Sequence, residues 1–215
     1  MPADDDERRS PRKRRAIVEA AAGAFLRSGY LGTSMDEIAA TAGVSKQTVY
    51  KHFADKERLF SEIVTSTVSE ASDPVHDEVR SLQDTGDLEA DLRDLARRQL
   101  GLVLQPRILQ LRRLVIAEAG RFPELGRVFY EQGPGRTIAA LATAFERLAE
   151  RGLLHLDDPL LAAAQFNWLV MSAPLNQAML LGDFNAPAAA DVDRWADDGV
   201  RTFLSAYGPG PVSPG

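Results

Sequence analysis

The chain has 215 residues, a formal net charge of −6 and no cysteine. That length serves one or two domains with a sizeable core, and the missing cysteines exclude disulfides, thiolate zinc sites and cysteine nucleophiles. No run of about 18 apolar residues offers a membrane span, and the N-terminus lacks the apolar core of a signal peptide, so a cytoplasmic protein is expected.

The charge is unevenly spread. Residues 1–7 hold four acids and no base, residues 8–56 hold ten Lys/Arg against four Asp/Glu, and the remainder holds fifteen against twenty-three. A positive N-terminal module on an acidic body confines phosphate binding to one surface.

In chain order, residues 1–10 (MPADDDERRS) read as a disordered, charged tail. The basic run Arg12 to Arg15 leads into a helix with Ile17, Ala21, Ala24 and Phe25 on one face, ended by Gly29. Ser34 caps a second helix, with Glu37 completing a capping box. Gly43 supplies a sharp turn. Ser45 caps a third helix whose Lys46, Gln47, Thr48, Tyr50, Lys51 and His52 are nearly all hydrogen-bond donors, while Val49 and Phe53 are core. A short helix, apolar on one side and donor-rich on the other, suits a DNA major groove. Asp55 caps a fourth helix (stripe Leu59, Phe60, Ile63, Val64, Thr67, Val68) that runs to about residue 71 or past Pro74 and links head to body.

The body is helical by pattern, without strand alternation. Leu88–Val103 and Ile108–Ala119 mark two helices and Pro123–Gln132 a short one. Gly133-Pro134-Gly135 is the clearest break, and Ile138 to Ala149 mark a helix ended by Gly152. Leu160–Leu181 is long and apolar, with Pro174 expected to kink it, and Pro187–Tyr207 is the last helix. The expectation is an all-α fold of about nine helices. Its parts are a tail (1–10), a three-helix helix-turn-helix head (11–56), a helical-bundle body (57–208) and a flexible tail (209–215).

Gly29-Tyr30, Thr33-Ser34, Ile38-Ala39, Ala42-Gly43-Val44-Ser45, Thr48-Val49-Tyr50, His52-Phe53 and Lys56 to Phe60 together resemble the DNA-binding domain of the TetR family of bacterial transcriptional regulators. Residues 112–136 resemble the body of one subgroup more weakly. The resemblance implies a homodimer on a palindromic double-stranded operator, released by a small, mostly apolar effector that tilts the fourth helix. Two other readings stay open: a DNA-binding regulator without a small-molecule ligand, and a helical enzyme with a vestigial head.

Candidate DNA contacts are Arg12 and Arg14 from the N-terminal arm, Thr33 and Ser34 at the second helix, and Ser45 at the third. Lys46, Gln47 and Thr48 are candidates for base edges, and Tyr50, Lys51, His52 and Lys56 for phosphates. Candidates for an effector cavity are Leu111, Arg112, Val115, Phe129, Ile138, Phe145, Gln165, Trp168 and Ser172. Arg113, Glu118, Asn167, Asn176 and Gln177 are further polar intrusions that need partners if buried. Leu161, Leu169, Trp195, Gly199, Val200 and Phe203 are candidates for the dimer interface, with Gly199 allowing close helix approach. His76 and His155 have no metal-like neighbours, so no metal, cofactor or catalytic residue is assigned; Asp4 to Glu7 reads as a solvated acidic run.

Overall fold

A computed structural model describes residues 3–182 and 188–209, and every described element is helical. In order these are α1 (Ala3–Gly32), α2 (Met35–Thr41), α3 (Lys46–His52), α4 (Lys56–Ser81), α5 (Leu88–Val103), α6 (Pro106–Glu118), α7 (Pro123–Gln132), α8 (Pro134–Glu150), α9 (Pro159–Leu181) and α10 (Ala189–Tyr207), with one 3-10 turn at Leu82–Asp84. The fold is all-α with an N-terminal helix-turn-helix.

Local chemistry explains most boundaries. The side chains of Ser34, Ser45, Asp87 and Asp158 each accept a backbone N–H at the start of α2, α3, α5 and α9. α8 starts on Pro134, whose missing N–H costs nothing at a first turn. α2 closes through Gly43 at φ +64, with Gly43 N–H donating to Ala40 O and Val44 N–H to Ala39 O; this paired return needs a left-handed residue, which glycine adopts freely. One expectation changes. α1 extends back to Ala3, where a disordered tail was expected. α4 and α9 continue through Pro74 and Pro174. The expected flexible tail at 209–215 lies, beyond Pro209, outside the described residues.

The chain forms two compact units, Met1–Val68 with Gln110–Phe129, and Ser69–Leu109 with Tyr130–Gly215. The division therefore falls inside α4, α6 and α7, so α4 is not the single covalent link that the sequence suggests. In the first unit Ile17, Phe25, Ile38, Val49, Phe60 and Val64 are joined by Leu111, Val115 and Leu125. Tyr30 stacks on Phe25 at 5.8 Å, and Phe122 meets Tyr30 edge-on at 4.8 Å. The first unit thus includes twenty residues from the middle of the chain.

The second unit is built on a triangle of Phe145, Phe166 and Phe203, with centroids 5.1–5.7 Å apart. Gly199 lets α10 approach α9, since a Cβ there would lie 3.0 Å from Val170 Cγ2 and 3.2 Å from Val170 Cα. Arg97 bridges α5 to α10 through Asp197 at 2.8 Å.

Candidate nucleic-acid interface

The first four helices set out a compact polar surface. Ser34 Oγ accepts from Glu37 N–H at 3.1 Å, and Ser45 Oγ from Thr48 N–H at 3.2 Å, while the Ser45 and Thr48 hydroxyls share a hydrogen bond of 2.8 Å. Val49 and Phe53 are buried and fix the inner side of α3. Lys46, Gln47, Tyr50 and Lys51 are exposed on its other side, at spacings i, i+1, i+4 and i+5 that share one face. Ser34, Ser45, Arg12 and Arg14 are exposed, and Thr48, His52 and Lys56 are half-buried.

Several candidate contacts are already engaged within the protein. Thr33 is 2% exposed and donates its hydroxyl to Gly29 O at 2.9 Å, so it braces the α1–α2 turn, and its assignment to DNA is corrected. Lys56 Nζ donates to Tyr30 O and Thr33 O, both at 2.9 Å, and lies 4.4 Å from the Tyr30 ring centre. Arg14 pairs with Glu62 at 2.6 Å and covers the Phe53 ring. Lys46 Nζ lies 2.8 Å from Asp36 Oδ1 and 3.1 Å from Oδ2, and this carboxylate raises the lysine's pKa. Among the described residues no carboxylate pairs with Arg12 or Lys51. Burial, followed by Lys51, Arg14 and Lys13, lowers the pKa of His52 from 6.5 and so favours its neutral ring.

The effector-cavity candidates divide between the units. Leu111 and Val115 are buried in the first, where Arg112 lies over the Phe129 ring at 5.4 Å with its pKa lowered by burial. Ile138 and Phe145 are buried in the second. Gln165, Trp168 and Ser172 are exposed on α9, and Gln165 accepts from the Tyr207 hydroxyl at 2.6 Å; their placement in an internal cavity is corrected, because they stand on the solvent side of α9 while Phe166 and Val170 on its other side fill the core.

Among the dimer candidates, Leu161 and Leu169 are exposed on α9 and Trp195 is half-buried. Gly199, Val200 and Phe203 are buried against their own chain's α9 and aromatic cluster, which corrects their assignment to a surface between copies. Sequence reasoning missed Gln99, which is 1% exposed with neither amide atom partnered among the described residues; Asn167, a polar intrusion already noted, is buried with its amide nitrogen unpartnered, and His76 is buried as well. Gln99 follows two arginines, so it reads as surface; only its position one turn beyond Leu95 and Ala96 hinted otherwise.

Among the described residues no group of three or more acids or histidines is placed to hold a metal, and no helix is long and apolar enough to cross a membrane.

Comparison with known proteins agrees with this geometry. Residues 17–63 match the model for bacterial regulatory proteins of the tetR family, and residues 90–209 the AefR-like transcriptional repressor C-terminal domain. The structure is similar to that of a TetR-family transcriptional regulator from Mesorhizobium loti MAFF303099, at 46% identity over 93% of this chain and 98% of that one, with a TM-score of 0.88. It is also similar to the flavonoid-responsive regulator FrrA, at 34% identity over 94% of this chain and 100% of that one, with a TM-score of 0.72. The HTH-type transcriptional regulator YhgD of Bacillus subtilis (strain 168) is 43% identical over 58 residues, and the match spans 27% of this chain and only 30% of that protein. YezE of the same strain, also an HTH-type transcriptional regulator, is 24% identical over 84% of this chain and 89% of its own length. The helix-turn-helix surface, the family match that covers it and the match over the body make this chain a member of the TetR family of bacterial transcriptional regulators.

Proposed function

We propose that the chain is a cytoplasmic, ligand-responsive repressor that binds a palindromic operator as a homodimer and leaves it when a small, mostly apolar effector binds the body. The observation that carries the ligand response is the buried, unpartnered Gln99 amide, together with His76 and Asn167 in the same apolar unit. A buried polar group without a partner is costly, and a ligand's hydroxyl or carbonyl supplies one. The 34% identity to a flavonoid-responsive regulator favours an effector of that chemistry, an aromatic body with few hydroxyls. The repressor sign follows the description of the matching C-terminal domain.

The homodimer rests on α9, which is apolar around its circumference. Ala163, Phe166 and Val170 fill the core, while Leu161, Trp168 and Leu169 stand 40–51% exposed on other sides. A helix apolar all round is buried all round, and a second copy meeting it through a two-fold axis is the economical partner. Two heads then read half-sites about one DNA turn apart, roughly 34–36 Å or a multiple.

An effector that lowers operator affinity 100-fold must bind DNA-free protein 100-fold better, a coupling of about 2.7 kcal/mol. Calorimetry with a flavonoid panel tests this: affinity falls when saturating operator duplex is present, and Gln99→Leu weakens it. Equal affinity with and without operator leaves a DNA-binding regulator that no such ligand controls.

A further inference from the structure

We infer that Asp36 is a specificity-determining residue of the head: it holds Lys46, the first residue of α3, away from DNA phosphates until a matching base edge draws the lysine out. The inference rests on the head binding duplex DNA and goes beyond it by assigning an acid to the DNA-facing surface.

The geometry is a bridge between two helix starts. Asp36 stands at the second position of α2 and Lys46 at the first of α3, and the ammonium lies 2.8 and 3.1 Å from the two carboxylate oxygens. Both side chains are exposed, at 65% and 58%. They line a surface groove with Ser34, Tyr50, Asp55 and Lys56. Within that groove the cations are already engaged, Lys46 by Asp36 and Lys56 by two backbone carbonyls. Asp55 is likewise bound, accepting from Arg58 N–H at 2.7 Å.

A free Lys46 responds to any phosphate, because phosphate attraction ignores sequence. Paired with Asp36, it presents almost no net charge to random DNA. An exposed ion pair is weak, so a guanine edge that accepts from the ammonium reopens it readily. Asp36 therefore lowers binding to random duplex more than binding to the operator.

The test measures binding to random-sequence duplex between 50 and 200 mM salt for the full-length chain. Each phosphate newly neutralised steepens the log–log salt slope by about 0.9, or about 1.8 for two heads, which makes the loss over that fourfold salt range about twelvefold larger. Asp36→Asn is expected to bind random duplex more tightly with this steeper slope, and to lose discrimination. Asp36→Asn with Lys46→Gln is expected to return to the wild-type slope. Far-UV circular dichroism checks that each variant folds. An unchanged slope in folded Asp36→Asn overturns the inference, as does a double variant that keeps the steeper slope, since the acid then acts only by general repulsion. Failure of the wild type to bind any duplex removes instead the DNA-binding role on which the inference stands.

Discussion

Lys56 separates two roles for one lysine. At the start of α4 it is placed for a phosphate, yet its ammonium donates to Tyr30 O and Thr33 O at 2.9 Å and sits over the Tyr30 ring. Those two carbonyls belong to the turn that follows Gly29, whose φ of +71 breaks α1. A hydrogen bond to a charged group contributes about 1.5–3 kcal/mol. The carbonyls are part-buried and regain some water once the lysine is gone, which offsets about half of the two bonds; the ring contact adds about 0.5–1 kcal/mol. Lys56→Met keeps the aliphatic stem and is expected to destabilise the first unit by about 2–4 kcal/mol. In urea that is a midpoint shift of about 1–2 M for a slope of about 2 kcal/mol/M. Far-UV circular dichroism gives the shift, and hydrogen exchange localises it to α1 and α4. The salt slope of DNA binding is expected to stay at the wild-type value. Unchanged stability with a slope about 0.9 lower per head would refute the reasoning and return Lys56 to the phosphate backbone.

Lys51 is exposed without a carboxylate partner among the described residues, so Lys51→Ala is expected to weaken binding to all duplexes and lower the slope by about 0.9 per head; Gln47→Ala is expected to relax preference at one base pair by about 1–3 kcal/mol, read by competition with substituted duplexes. Leu161→Glu with Leu169→Glu is expected to give folded monomers in sedimentation at micromolar concentration, whereas Val200→Asp, placed in the protomer core, unfolds the second unit; dimers in the first variant count against the α9 interface. Burial lowers the His76 pKa from 6.5, with Arg136 acting in the same direction, as burial does for His52. The unfolded chain therefore binds protons first, and stability, full above about pH 7, falls as pH drops through 6.5 toward the lowered folded values. Urea unfolding at pH 7.5 and 5.5 checks the sign, and His76→Gln is expected to lose less stability between them than the wild type.

The head was legible because its rules are local. A serine before a helix, a glycine in a tight return and a valine at the inward position of α3 act through neighbours within four residues, and Ser34, Gly43, Ser45 and Val49 stand where the sequence put them. The partners of Thr33 and Lys56 were not legible, because they are the carbonyls of Gly29, Tyr30 and Thr33, and a sequence does not say where a carbonyl points. The return of Gln110–Phe129 into the head core is a long-range packing event with no local signature. The stripe of Gly199, Val200 and Phe203 was correctly apolar, but periodicity shows only that a face is buried, not whether its own chain or a second copy covers it. Val170 answers that for Gly199. Gln99 was hard to see for the opposite reason: an amide that follows two arginines reads as surface, and only its spacing from Leu95 and Ala96 signals burial.

Affinity selection from a randomised duplex library tests the central claim most directly, because it asks at once whether the head reads sequence and whether two heads act together. The account predicts enrichment of an inverted repeat whose half-sites lie about one helical turn, or a multiple, apart, with preference relaxed at one symmetric pair of positions when Gln47→Ala replaces the wild type. Recovery of no motif, or of a single half-site without its symmetric mate, would contradict it.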